Sequence, residues 1–278
     1  MTRPLRTIPY TLCNPTGNIT LLAEAPVPAE EQPAIARRLM EREPETEQVG
    51  FVRFPDTEGG CDVRLRMAGG EFCGNATLSA AMLFLERRGR REGSLTLHVS
   101  GADAPVPVTL KKTEDGGFRG TVTMPKPASA GMLRLLPDRE FPVVRFPGIA
   151  HVVLEAGDTG GVGHADAEAL ARRFCRELSA DALGLMFLNA EEGILRPLVY
   201  VPAADTMFWE SSCASGSAAA AVWTAERTGG AVNLALRQPG GTLQVSAVPG
   251  GKCLLTGTVS VMRSGELEMP DSRTSERA

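Results

Sequence analysis

The sequence predicts an α/β (α+β) fold made of two structurally similar halves, each a sheet wrapped around its own central helix. Three observations predict it: the chain matches itself at a nearly fixed offset, each half contains one helix that is apolar almost all round, and short strand segments punctuated by Gly and Pro surround both helices. The self-match runs in constant order. Ala36-Arg37-Arg38-Leu39 recurs as Ala171-Arg172-Arg173-Phe174, and Gly50-Phe51-Val52 as Gly184-Leu185-Met186. Cys73, Ala80, Ala81, Glu86, Arg87 and Gly89 fall 140 positions before Cys213, Ala220, Ala221, Glu226, Arg227 and Gly229, and Gly120-Thr121-Val122-Thr123 returns as Gly257-Thr258-Val259-Ser260. Such a series reads as an internal duplication. It divides the chain into an N-terminal half, 1–130, a C-terminal half, 131–269, and a polar tail, 270–278. A linker is expected in the Pro- and Gly-punctuated stretch from Pro125 to Pro142.

Each half follows the same order of signals. Strands come first, then an amphipathic helix with apolar residues at helical spacing, Glu30 to Glu43 in one half and Asp166 to Leu178 in the other. A further strand leads to a cysteine, and a second helix starts there. Its bodies, Ala76 to Leu85 and Ala218 to Ala225, lack a polar face and are expected to be buried on every side. Strand candidates are Val63 to Met67, Leu95 to Val99, Val106 to Leu110, Val152 to Leu154, Leu198 to Val201, Leu234 to Leu236 and Leu254 to Val261.

Composition narrows the function. A formal charge of -4 and a pI near 5.6 leave no basic field for a nucleic acid backbone, and the arginines are scattered among acidic residues. No apolar run is long enough to span a bilayer and the start has no apolar leader, so a cytoplasmic protein is expected, with no membrane partner. The six cysteines contain no C-x-x-C pair, and the three histidines form no metal-binding cluster; thiols and no metal are expected. No phosphate-cradling Gly loop accompanies the four lysines, and no G-x-G-x-x-G follows a strand, which argues against pyridoxal phosphate and dinucleotides. No cofactor is expected. The expected partner is a small-molecule amino-acid substrate, and a homodimer is a possible assembly.

Chemistry concentrates at two segments, Glu71-Phe72-Cys73-Gly74-Asn75-Ala76-Thr77 and Ser211-Ser212-Cys213-Ala214-Ser215-Gly216-Ser217. A helix N-terminus carries unpaired N–H groups and positive dipole, which favour a thiolate and predict a thiol pKa lowered towards neutrality. The N–H groups at Gly74, Asn75, Ala214, Ser215 and Gly216 are suited to a substrate carboxylate. Inverting a stereocentre needs a base on one face and an acid on the other, and two thiols related by duplication supply both. Cys73 and Cys213 are therefore the candidate catalytic pair of an amino-acid racemase or epimerase. The other four cysteines have no counterpart in the opposite half and read as core thiols.

Cys73-Gly74-Asn75-Ala76 and Cys213-Ala214-Ser215-Gly216-Ser217-Ala218 resemble the paired cysteine motifs, C-G-N-G and A-C-G-S-G-A, of the diaminopimelate epimerase superfamily. The resemblance extends to Gly17-Asn18, to Gly148-Ile149-Ala150-His151, similar to G-N-P-H, and to Trp209-Glu210. It implies two alike domains, each a curved, mostly antiparallel sheet around a central helix, closing over the ligand, with Glu210 holding the substrate ammonium. The residues that would hold a distal zwitterion differ, however. Arg66-Met67-Ala68-Gly69-Gly70-Glu71 replaces N-A-D-G-S-E, Ile149 replaces the Asn of G-N-P-H, and Ser211 replaces the Arg after Trp-Glu. Unpartnered charges there would cost several kcal/mol.

The pattern instead resembles the histidine racemases of that superfamily, which supply D-histidine for opine-type metallophores. Asn14, Asn18, Glu47 and His151 join the candidate substrate contacts. Each of three has a plainer reading: Asn14 as a turn residue, Glu47 as a solvated carboxylate in the acidic run Glu41 to Glu47, His151 as a core imidazole. Diaminopimelate epimerase and other amino-acid epimerases remain alternatives. So does a phenazine-biosynthesis-type isomerase, because Cys73 to Ala81 is similar to its C-G-H-A-T-L-G-A-A and Arg42-Glu43 to its catalytic Glu region, although that branch lacks a second catalytic cysteine. The non-enzyme alternative is an amino-acid binding protein.

Overall fold

The computed structural model describes residues 5–55, 61–155, 163–202 and 206–270. It contains β1 (Leu5–Pro15), β2 (Thr20–Ala23), α1 (Gln32–Arg42), β3 (Gln48–Arg53), β4 (Val63–Met67), α2 (Gly74–Arg87), β5 (Glu92–Val99), β6 (Val106–Lys112) and β7 (Phe118–Thr123). Then follow β8 (Ser129–Leu136), β9 (Arg139–Phe146), β10 (Ile149–Glu155), α3 (His164–Glu177), β11 (Leu183–Asn189), β12 (Ile194–Val201), β13 (Thr206–Trp209), α4 (Ala214–Thr228), β14 (Val232–Gln238), β15 (Gly241–Ala247) and β16 (Cys253–Pro270).

The strands form one mostly antiparallel sheet. Strands β1 to β7 pair in succession, β7 pairs with β16, and β16 returns to pair with β1, which closes an eight-stranded barrel. From β16 the sheet continues through β15, β14, β12, β11, β10 and β9 to β8. The exceptions to antiparallel pairing are β2–β3, β4–β5, β10–β11 and β12–β14, each bridged by one helix in chain order. A parallel pair needs such a crossover, so each amphipathic or apolar helix is also the connection that makes its pair possible.

Helices α2 and α4 are covered on all sides, as their apolar sequences require. Every residue of α2 from Gly74 to Leu85 is buried, and the helix packs against β1, β2, β4 to β7 and β16. Helix α4 is buried from Ala214 to Val222 and packs against β8 to β11 and β14 to β16. Leu78 and Phe118 are almost fully enclosed, each contributing about 1.5–3 kcal/mol of transfer free energy. Gly120 sits where a Cβ would meet Leu78 Cδ2 at 2.7 Å, so α2 approaches β7 only because that position carries no side chain. By contrast α1 and α3 bury one face each, Ile35, Ala36 and Leu39 in α1 and Ala167, Ala171 and Phe174 in α3.

Two sequence expectations are corrected. Residues 125–142 form no simple linker, because most of them lie in the β8–β9 hairpin, where Ser129 pairs with Arg145 and Leu133 with Phe141. The polar tail expected from 270 starts no earlier than 271, because Pro270 pairs with Leu5 at the end of β16; residues 271–278 lie outside the described residues. The cores are also shared: one hydrophobic cluster runs from Leu78 and Phe118 through Met186 to Ala218 and Leu243, uniting residues of both halves. No described helix is long and apolar enough to cross a membrane.

Candidate active site

The two cysteines cap their helices in nearly the same way. Cys73 and Cys213 both have extended backbones, with φ -131°, ψ 115° and φ -122°, ψ 111°. Each sulfur accepts the N–H three residues on, Ala76 at 3.4 Å and Gly216 at 3.3 Å. Each carbonyl accepts a hydroxyl four residues on, Thr77 Oγ1 and Ser217 Oγ, both at 2.7 Å. The first N–H groups of each helix, at Gly74, Asn75, Ala214 and Ser215, have no carbonyl a turn earlier to bond, an arrangement suited to an anion.

The two helix entrances abut. A Cβ on Gly74 would lie 2.9 Å from Ala214 Cβ, and Asn75 Nδ2 donates to Ser212 O at 3.2 Å, tying α2 to the residue before Cys213. Gly216 is as tightly enclosed, since a Cβ there would collide with Met186 Sδ and approach Cys213 Sγ to 3.2 Å. Loop contacts hold the approach from behind. Gly17, at φ +88°, leaves no room for a side chain against Gly240, whose N–H donates to Ser211 O at 2.7 Å.

Around this junction lie three carboxylates. Glu210 follows Trp209, whose ring stacks on Phe187, meets a tilted His164 ring and lies under the Arg196 guanidinium, while Glu210 N–H bonds Pro197 O. Burial pushes the Glu210 carboxyl up to about 8; the Cys213 thiol bonded to it opposes this, and Glu47 and Glu71 add to the rise. Burial likewise raises Glu71. Glu47 links two loops, its Oε2 accepting Asn18 Nδ2 at 2.6 Å and the Ser211 N–H at 3.2 Å.

The thiols depart from the sequence expectation of a lowered pKa. Burial raises Cys73 to about 12, against the favourable Ala76 N–H, and the Glu210 and Glu71 carboxylates push the same way as burial. Cys213 is also raised by burial first, then by Glu210 in direct contact. The helix-end dipole acts in the expected direction but is outweighed by desolvation and neighbouring negative charge.

The structure thus brings Cys73, Gly74, Asn75, Glu47, Asn18, Glu210, Cys213, Ala214, Ser215 and Gly216 to one junction. Asn14 lies one step away, its Oδ1 accepting the Gly17 N–H at 2.6 Å to close the turn. His151 is fully buried, edge-on to Phe146, with both ring nitrogens unpartnered and its pKa lowered by burial to about 3. Its Nδ1 faces Gly184 beside Met186, so it backs the Cys213 side of the site from the core. Among the described residues no cluster of His, Cys, Asp and Glu is arranged to hold a metal.

Four contributors are not singled out by the sequence reading. Gln48 Oε1 accepts the Cys73 thiol at 3.0 Å, and Gln238 Oε1 accepts the Cys213 N–H at 2.8 Å while its Nε2 donates to Ser217 Oγ at 3.0 Å. Glu71 and Met186 complete the surroundings. Gln48 and Gln238 are polar residues at strand ends beside loops, a signal too common to select them without the fold.

The family model described as "Histidine racemase CntK N-terminal domain" matches residues 7–266. Histidine racemase of Staphylococcus aureus is 27% identical over 86% of this chain and 88% of its own length. That of Fusobacterium nucleatum is 26% identical over 96% and 98%. Among solved structures, the chain is similar to an Agrobacterium vitis hydroxyproline epimerase with bound trans-4-hydroxy-L-proline, at TM-score 0.70 and 14% identity over 98% of this chain and 95% of that one. A Bacillus anthracis phenazine biosynthesis protein of the PhzF family gives 0.65 and 16% over 94% and 99%.

Proposed function

Because the chain belongs to the histidine racemase family, we propose that it inverts the Cα of histidine without a cofactor, by proton transfer between two thiols on opposite faces of the substrate. The observation that carries the mechanism is the meeting of two cysteine-capped helices at their N-termini, tied by Asn75 to Ser212. The substrate carboxylate takes the N–H groups of Gly74, Asn75, Ala214 and Ser215, where negative charge develops as the carbanion forms, while Gly216 lines the site with its N–H on the Cys213 sulfur. The ammonium pairs with Glu210, and its positive charge favours the ionised forms of both Glu210 and Cys213 against the burial that raises them. Cys213 or Cys73 then takes the Cα proton, and the other thiol delivers one to the opposite face.

Glu47 suits the imidazole N–H, since Oε2 takes both of its hydrogen bonds and Oε1 has none among the described residues. Asn18 orients Glu47, Asn14 shapes the Gly17 turn, and His151 supports Met186. Supply of D-histidine to a metallophore is the pathway role that accompanies this substrate. The duplication belongs to the same proposal, with halves at 1–130 and 131–269. Matched positions meet each other, Gly120 pairing with Gly257 across β7 and β16 and Gly74 facing Ala214, as expected around an internal twofold axis. A second cysteine at 213 favours this chemistry over that of a phenazine-type isomerase.

Incubation with L-histidine alone, followed by chiral chromatography, tests the proposal. The expected result is a racemic mixture, with Cys73→Ser and Cys213→Ser each slower by about 10²–10⁴-fold. Wild-type rates in both variants overturn the thiol mechanism. Racemisation of another amino acid but not histidine overturns the substrate.

A further inference from the structure

The two thiols differ in what their neighbours can offer. Cys213 sulfur accepts the Gly216 N–H, lies 3.6 Å from the Ser215 hydroxyl, where either group can donate, and bonds the Glu210 carboxyl. Cys73 sulfur has the Ala76 N–H but also Gln48 Oε1, which can only accept. The orientation of that amide is fixed by chemistry further back. A carboxylate accepts and never donates, so Glu47 holds Asn18 with Nδ2 towards it. Asn18 Oδ1 is thereby turned to Gln48, whose Nε2 donates to it. The second Nε2 hydrogen goes to Thr20 Oγ1 at 2.7 Å, and the Thr20 hydroxyl is committed to Asn18 O at 3.0 Å. Both amino hydrogens are spent, and only the carbonyl of Gln48 is left to face sulfur.

We propose that Glu47, acting through Asn18 and Gln48, fixes the Gln48 carbonyl towards Cys73 and so favours Cys73 as a protonated thiol in the resting enzyme. This rests on the two-thiol reading. Glu47, Asn18 and Gln48 are positioning residues in this scheme. Turning the Gln48 amide would present a donor to sulfur and lower the Cys73 pKa, but it would set Gln48 Oε1 against Asn18 Oδ1. Turning both amides would set Asn18 Oδ1 against the Glu47 carboxylate. The charges that face Cys73 directly are Glu210 and Glu71, and both also favour the thiol.

The test is the rate of iodoacetamide modification of Cys73 in the full-length protein between pH 6 and 10, read by peptide mass spectrometry with Cys213 as internal reference. Glu47→Gln frees both amides to turn, and the Cys73 rate below its pKa is expected to rise about tenfold, the effect of one pKa unit, with Cys213 within about twofold. Glu47→Asp retains the charge and stays near wild type. Asn18→Leu breaks the chain without touching the charge and gives the same rise, which also serves if Glu47→Gln folds poorly. In a Gln48→Met background, Glu47→Gln adds less than about twofold, because its route to the sulfur is gone. An unchanged Cys73 rate in both Glu47→Gln and Asn18→Leu overturns the proposal, as does an equal rise in the Gln48→Met background. Failure of the wild type to racemise histidine would overturn the reading beneath it and leaves these rates measurable.

Discussion

Cys73 and Cys213 occupy matched positions with matched caps, yet their second neighbours have little in common. At Cys73 a neutral amide chain runs back to Glu47, whereas at Cys213 a carboxyl, Glu210, touches the sulfur itself. The caps repeat because a helix entrance with an N-cap sulfur and a hydroxyl four residues on is a local arrangement that a short motif carries. The second neighbours come from other strands and loops, Gln48 from β3 and Glu210 from the segment after β13.

The largest effect is expected from the caps. Loss of either thiol lowers the racemisation rate by about 10²–10⁴-fold, and equal losses at the two positions would establish their equivalence. Next comes Gly216→Ala, whose methyl would collide with Met186 and crowd Cys213. Overpacking of this kind costs about 1–3 kcal/mol in a denaturant titration, and activity falls with it. The corresponding change in the other half, Gly74→Ala, meets Ala214 Cβ at 2.9 Å and should act in the same direction.

The charged and neutral surroundings can also be separated by pH. Glu210 has a folded pKa raised to about 8, so between roughly 4.3 and 8 the folded state holds a proton that the unfolded state has lost. Its contribution to stability is complete at low pH and declines as pH rises through that window, by up to ~1.4 kcal/mol per unit. His151 has the opposite sign. Lowered to about 3, it stays neutral when folded while the unfolded chain protonates below roughly 6.5, so its contribution is lost as pH falls from 6.5 towards 3. Urea titrations across pH 4 to 8 should show Glu210→Gln flattening the decline at higher pH and His151→Leu flattening the loss at lower pH. The smallest effect is expected far from the site. Gly89, at φ +62° with open space around it, should cost only about 1–2 kcal/mol on change to Ala and leave activity intact.

What the sequence makes legible follows the range of the interactions. The Cys73 and Cys213 caps, the all-round burial of α2 and α4 and strand β4 from Val63 to Met67 are set within one or two turns of chain and agree with the structure. The β8–β9 hairpin is hidden in a Pro- and Gly-rich stretch because β8 is exposed over most of its length and so lacks the alternation of a half-buried strand. The return of β16 to β1 and the contact of Gln48 with Cys73 depend on chain closure over long separations, which no local pattern records. Thiol acidity failed for a related reason. The helix end is local and visible, whereas the desolvation that outweighs it comes from the whole fold.

The central claim, two thiols on opposite faces of one carbon, is tested most directly by the early time course of L-histidine in D2O. Solvent deuterium on the proton-donating thiol should appear at Cα of the D-histidine formed, while the remaining L-histidine keeps its protium. Deuterium entering L-histidine as fast as D-histidine appears would indicate a single base that serves both faces, and would contradict the account.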